Sequence, residues 1–160
     1  MQIPRIYLET TIFYFYFEKE RKDHADTVKL FEAIKAGKYQ AFTSMYVLRE
    51  LQSEPAEKKN KMLALVEEYN IAVLDFSAEA EELADGYVQA LHMFPCEGIT
   101  ISKYVPDSIH AAVAAVNDMD LVVSLNFKNI VRKKTIELTE LVNTRKGYRK
   151  VGICAPAELR

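Results

Sequence analysis

Short apolar runs alternate with longer stretches of mixed polarity along the 160 residues of this chain. Five runs have strand character: residues 6–8 (Ile-Tyr-Leu), 40–43, 72–76, 121–124 and 151–154. Each is short and bounded by polar or turn-forming residues. Between them, apolar residues recur three and four positions apart, as in Leu30, Phe31 and Ile34; Met62, Leu65, Val66 and Tyr69; Leu83, Tyr87 and Leu91; and Ile109, Ala112, Val113 and Val116. That spacing lines one face of a helix. Strands alternating with helices predict an α/β fold, a three-layer α/β/α arrangement around a central, mostly parallel five-stranded sheet. Leu121-Val122-Val123 is apolar at every position, as a strand covered on both faces requires, and is expected to be central.

Punctuation fits the same plan. Gly37 and Gly147 fall where helices should end, and Ser77 precedes Glu79, Glu81 and Glu82 as an N-cap with acids in the first turn. Pro106-Asp107 reads as the opening of the helix that feeds the strand at 121–124. Residues 93–105 are the least regular and are expected to form a loop beside the site. No repeat, low-complexity tract or linker interrupts the pattern, so a single domain is expected over residues 1–160.

Composition narrows the classes. Hydrophobic residues make up 49% of the chain, enough for a core without staples. The longest apolar runs, such as Ile12 to Phe17, fall far short of the roughly 18 to 20 residues that cross a bilayer, so no membrane is expected. Cys96 and Cys154 stand far apart in no metal-binding spacing, and no basic-then-apolar leader precedes the first strand. Free thiols and a cytoplasmic location follow as expectations. The net charge of −2 hides an asymmetry: residues 126–160 carry +6 and residues 1–125 carry −8. Such a distribution can collect a divalent cation at one place and a phosphate backbone at another, although basic helix faces also serve as plain solvated surface.

Where chemistry should gather follows from topology. Open parallel sheets bind ligands outside the carboxyl ends of their strands. The first strand ends in Glu9-Thr10-Thr11, the second in Thr43-Ser44, and the apolar strand in Ser124 and Asn126. Glu50, on the helix after Ser44, flanks the stripe of Val47, Leu48 and Leu51, and Asp107 lies on the helix leading to Ser124. Clustered carboxylates raise one another's pKa unless a cation neutralises them, and all-oxygen ligands favour Mg²⁺ or Mn²⁺ over zinc. A metal held in this way suits phosphodiester hydrolysis. Each residue has a plainer reading beside it: Asp107 as a helix-dipole acid, Glu50 as surface, Thr10, Thr11, Thr43 and Ser44 as caps, His110 as a packing residue, and Asp75, Asp118 and Asp120 as strand-end and turn residues.

Taken together, IYLETT (residues 6–11), TSMYVLRELQSE (43–54) and the PDSIHAAVAA helix with its LVVSLNFKNIV continuation resemble the PIN-domain family, which includes the VapC toxins of toxin-antitoxin pairs. The likeness spans nearly the whole chain. It implies a metal-dependent ribonuclease whose acidic cluster binds Mg²⁺ or Mn²⁺, with the family's first three acids falling on Glu9, Glu50 and Asp107 and its fourth position on Asn126. Thr10, Ser44 and Ser124 would then orient waters, and Lys128, Arg132 and Lys133 would meet RNA phosphates. Two departures accompany the match. Glu9 is longer than the usual aspartate by one methylene, about 1.5 Å, and Asn126 offers a carbonyl oxygen without charge. A PIN-like domain that has lost catalysis and acts as an RNA-binding or protein-interaction module is therefore the competing expectation. A phosphatase using Glu9 as nucleophile is disfavoured, because no paired aspartates follow that strand. The resemblance also implies an antitoxin partner and a homodimer, for which the aromatic run at 12–17 is a candidate surface, set against ordinary core packing of alternate rings.

Overall fold

Ile6, Tyr7 and Leu8 are fully buried although they face opposite sides of their strand, which makes β1 (Arg5–Leu8) the middle of the molecule. The structure, a computed structural model, describes residues 2–126 and 130–159. Beside β1 lie β2 (Gln40–Ser44) and β4 (Leu121–Val123), and outside these β3 (Ala72–Leu74) and β5 (Gly152–Cys154), giving the order β3-β2-β1-β4-β5 with every pairing parallel. The all-apolar strand β4 is thus interior, while the central place belongs to β1.

Parallel neighbours need crossovers, and the helices supply them. α1 (Thr10–Phe15) and α2 (His24–Lys35) connect β1 to β2; α3 (Met45–Leu51) and α4 (Ala56–Glu68) connect β2 to β3. The chain then returns across the sheet through α5 (Ala78–Met93) and α6 (Ile101–Val116) to β4, and α7 (Lys133–Lys146) leads to β5. Right-handed crossovers running in opposite directions place α1–α4 on one face and α5–α7 on the other. Packing agrees, since α1 touches α2, α3 and α4 while α5 touches α6 and α7. The expected three-layer α/β/α arrangement is what forms.

Local signals work as their chemistry requires. The Ser77 hydroxyl accepts from the Ala80 amide at 3.1 Å and caps α5, and Gly147 closes α7 in the left-handed region at φ 82°. Asp118 turns at φ 55°, and Asp120 accepts from the Arg5 amide at 2.7 Å and from Arg149 at 2.9 Å. The run at 12–17 is helical at first rather than alternating: Ile12 and Phe13 are buried, the next three rings are half-buried and Phe17 is exposed.

One expected boundary is wrong. α5 continues to Met93 and α6 already begins at Ile101, so the loop between them is shorter than 93–105 and Pro106 lies inside α6. Helical burial explains the extension, because Tyr104 sits one turn before Ser108 and is buried on the same stripe. Proline lacks an N–H for the preceding turn, and that cost is outweighed by tertiary packing. Asp107 therefore belongs to the second turn of a longer helix and is not a terminal, dipole-stabilised acid.

Candidate functional site

The strand order reverses direction at the β1–β4 boundary, the place where open α/β sheets gather ligands. Register puts Leu8 opposite Val123, so Glu9 and Ser124 leave the sheet side by side. The Ser124 hydroxyl donates to Glu9 Oε1 at 2.7 Å. Thr11 adds its hydroxyl at 2.5 Å and its amide at 3.2 Å to the same oxygen, so Glu9 is also the N-cap of α1. Glu9 is 5% exposed, and this shell of donors is what lets a carboxylate sit there.

Glu50 comes from α3 across the site. Its Oε1 accepts from the Thr10 hydroxyl and lies 2.9 Å from His110 Nε2. The other ring nitrogen of His110 is 2.7 Å from the Tyr7 hydroxyl, which in turn is 2.7 Å from Ser44 Oγ. Ser44 also accepts from the Val47 amide and caps α3. A continuous polar chain thus runs Ser44–Tyr7–His110–Glu50–Thr10 through a region where Tyr7 and His110 are essentially without solvent. Burial opposes charge on Glu50, yet the His110 hydrogen bond, the His110 charge and the Thr10 hydroxyl together hold its pKa below the ordinary value. Burial likewise opposes charge on His110, and is overcome by the Glu50 hydrogen bond and the charges of Glu9, Glu50 and Asp107, which raise its pKa. All three acids therefore act on one histidine.

Asp107 is the anomaly. It is 4% exposed; Oδ1 accepts from the Asn126 amide at 3.0 Å, while Oδ2 is buried with no hydrogen-bond partner. Burial first, and then the negative charge of Glu9, push its pKa up to about 7, against the smaller opposing effects of His110 and Asn126. The Asn126 backbone amide donates to Ser124 Oγ at 2.9 Å, so the supports of Asp107 and Glu9 share one strand end. Among the described residues, no three His, Cys, Asp or Glu side chains are arranged as a ready-made metal cage. The carboxylates of Glu9, Glu50 and Asp107 are nevertheless the groups that could hold a cation, and the buried Oδ2 of Asp107, without a hydrogen-bond partner, fits that role.

The outcome for the other expected residues is mixed. Thr10, Ser44 and Ser124 are buried in the network, but each hydroxyl is taken by a protein partner: Glu50, Tyr7 and Glu9 respectively. Arg132 stands at the N-cap position of α7 without a side-chain capping hydrogen bond, and its guanidinium lies against Gly98, where an added Cβ would stand 3.2 Å from Nη1; Lys133 follows it, exposed. No described contact ties either to the acids. Lys128 lies outside the described residues. Sequence reasoning missed the roles of Tyr7 and His110. His110 stands three residues after Asp107, on one helix face, and that spacing was the available signal; Tyr7, in an apolar strand, gave none. A hollow of about 650 Å³ between α2 and the C-terminal turn at Pro156–Glu158 shares no residue with the cluster.

Comparison with known proteins places this geometry in context. The family model described as PIN domain matches residues 6–133. No curated protein matches the sequence significantly. Among solved structures, VapBC2 from Rickettsia felis bound to a DNA fragment from its promoter aligns at 15% identity and a TM-score of 0.59, covering 94% of this chain and 98% of the other. DNA-bound VapBC from Salmonella typhimurium aligns at 17% identity and a TM-score of 0.60, covering 96% and 98%. Mycobacterium tuberculosis VapC20, a Sarcin-Ricin loop cleaving toxin, aligns at 16% identity and a TM-score of 0.52, covering 91% and 98%. At these identities the likeness is one of fold.

Proposed function

The chain belongs to the PIN-domain family, and on that footing we propose that it is a Mg²⁺- or Mn²⁺-dependent endoribonuclease, the toxin of a toxin-antitoxin pair. The observation that carries the reading is the buried, unpartnered Oδ2 of Asp107 beside Glu9, a carboxylate whose pKa burial and the Glu9 charge push up to about 7. Hard oxygen donors of this kind fit a small divalent ion. When bound, the ion supplies Lewis-acid polarisation of a phosphoryl oxygen and lowers the pKa of water.

The rest is the work of this chain's residues. Asp107 and Glu9 hold the negative charge, Glu9 fixed by Ser124 and Thr11 and Asp107 by Asn126. Glu50 is kept ionised and aimed by His110 and Thr10. Asn126 occupies the fourth acidic position of the family as a donor to Asp107, which suits the site to one ion better than two. Arg132 and Lys133, together with Lys128, are the expected RNA phosphate contacts. An antitoxin protein and a second copy of the chain are the proposed partners, in the cytoplasm. No helix among the described residues is long and apolar enough to cross a membrane.

The test is cleavage of labelled RNA with Mn²⁺ by the protein and by Asp107→Asn. Loss of at least about 100-fold in rate in the variant, and full inhibition by chelator, is the expected result. Equal cutting by both proteins would sink the assignment. The donated amide of Asn126 at Asp107 favours one second reading, a module that binds RNA or a partner without cutting. Absence of saturable Mn²⁺ binding, with RNA binding retained, would select it.

A further inference from the structure

A cavity of about 430 Å³ opens beside the acid cluster, lined by Thr11, Phe15, Arg21, Lys22, Asp23, Leu125 and Asn126. Its inner wall is the cluster's own support: the Thr11 hydroxyl donates to Glu9, and the Asn126 amide donates to Asp107. The outer wall comes from the segment joining α1 to α2, part of the acidic half of the chain. Two adjacent cations stand there. Lys22 is exposed and has no described ion pair, and the Arg21 side chain is 63% exposed, its one ion pair among the described residues being with the solvent-screened Glu18 at 2.9 Å. The Arg21 guanidinium lies 5.1 Å from the centroid of the half-buried Phe15 ring, so charge and aromatic surface meet at one place.

We propose that this cavity binds the nucleotide next to the cleaved phosphodiester, with Arg21 and Lys22 on phosphate oxygens and the base against Phe15 and Leu125. The inference rests on the ribonuclease reading and adds to it a substrate subsite on a segment that charge counting alone would pass over. The cavity is of single-nucleotide size, and two of the residues that line it, Thr11 and Asn126, are hydrogen-bonded to Glu9 and Asp107, so it lies within one nucleotide's reach of a phosphate held at the acids. Cationic donors recognise the phosphate, and the apolar floor recognises a base face without regard to sequence. Asp23 accepts from a sugar hydroxyl or base amino group, and keeps the pocket from holding any small anion indiscriminately.

The test separates this idea from the nuclease assignment by reading binding without metal. Fluorescence anisotropy of a labelled ten-nucleotide single-stranded RNA is followed in chelator, with the full chain carrying Asp107→Asn as parent. Adding Arg21→Ala and Lys22→Ala is expected to weaken binding about 10-fold or more at low salt. It should also reduce the slope of log Kd against log salt by about 1.4, two phosphate contacts at roughly 0.7 each. Phe15→Leu is expected to weaken binding several-fold with the slope unchanged, as loss of stacking requires. Lys35→Ala with Lys38→Ala, an exposed basic pair at the end of α2 that does not line the cavity, should cost less than the Arg21 and Lys22 pair. A folded Arg21/Lys22 variant with the parent's affinity and slope overturns the subsite alone. A parent that binds no RNA overturns the subsite and the ribonuclease reading together.

Discussion

Asp107 is held where ionisation opposes folding. Its pKa rises from an ordinary 3.8 to about 7, so the penalty is absent below about pH 4, grows across the interval and is complete above about pH 7. A shift of that size corresponds to about 4 kcal/mol. Metal-free Asp107→Asn should therefore unfold at higher temperature than the parent at pH 8 and at about the same temperature near pH 4, measured by calorimetry. A parent-like transition at pH 8 would contradict the buried charge. His110 adds to the same drift, because the raised histidine contributes fully below about pH 6.5 and loses its contribution as pH rises through its folded pKa; Glu50 opposes it, because the lowered carboxylate loses its contribution only as pH falls through its folded pKa. His110→Ala, which leaves the Tyr7 hydroxyl with Ser44 and Glu50 with Thr10, should cost about 2 to 4 kcal/mol at pH 6 and weaken Mn²⁺ binding by about 10- to 100-fold. Unchanged Mn²⁺ affinity in a folded His110→Ala protein would show that Glu50 needs no aiming. Glu9, Glu50 and Asp107 were legible as candidates from their places at strand ends and helix faces. The Tyr7–His110 link was not, because a hydrogen bond between residues 103 apart has no local signature.

At the scale of elements, α6 shows tertiary packing overriding local propensity. Read locally, Pro106 starts a helix; in the structure it follows five helical residues, and its missing N–H leaves the preceding turn one bond short. Pro106→Ala should restore that bond and raise stability by about 1 to 2 kcal/mol, the gain being reduced by the freer unfolded chain. A lower melting temperature in that variant would mean that the proline fixes the orientation of Asp107 and His110. The strands behaved differently. Their short apolar runs and the turn residues around them marked all five to within about two residues: burial on both faces leaves few polar positions to blur the ends of the inner strands, and the turn residues mark the more exposed edge strands β3 and β5. β5 is held close: an added Cβ at Gly152 would stand 2.7 Å from Leu121 Cδ2 on β4, so a larger residue there requires the end of that leucine side chain to move aside.

For the whole molecule, the site is a place where stability is given up for binding, and a bound cation should return it. At 100 times its Kd, Mn²⁺ should stabilise the protein by about 2.7 kcal/mol at pH 8, and Asp107→Asn should abolish the shift. No shift in the parent, by thermal unfolding with and without Mn²⁺, would count against a metal-holding cluster. The division of labour between sequence and structure follows from range. Periodicity, caps and strand-end polarity act over a few residues, and by themselves they determined an α/β chain of five strands with polar groups at strand carboxyl ends and acids there or on the adjoining helices. Strand order, the longer α6, the buried chain from Ser44 to Thr10 and the meeting of Arg21 and Lys22 with Asn126 were decided only by tertiary structure. Those features depend on contacts between residues tens to more than a hundred positions apart, set by closing the whole sheet at once.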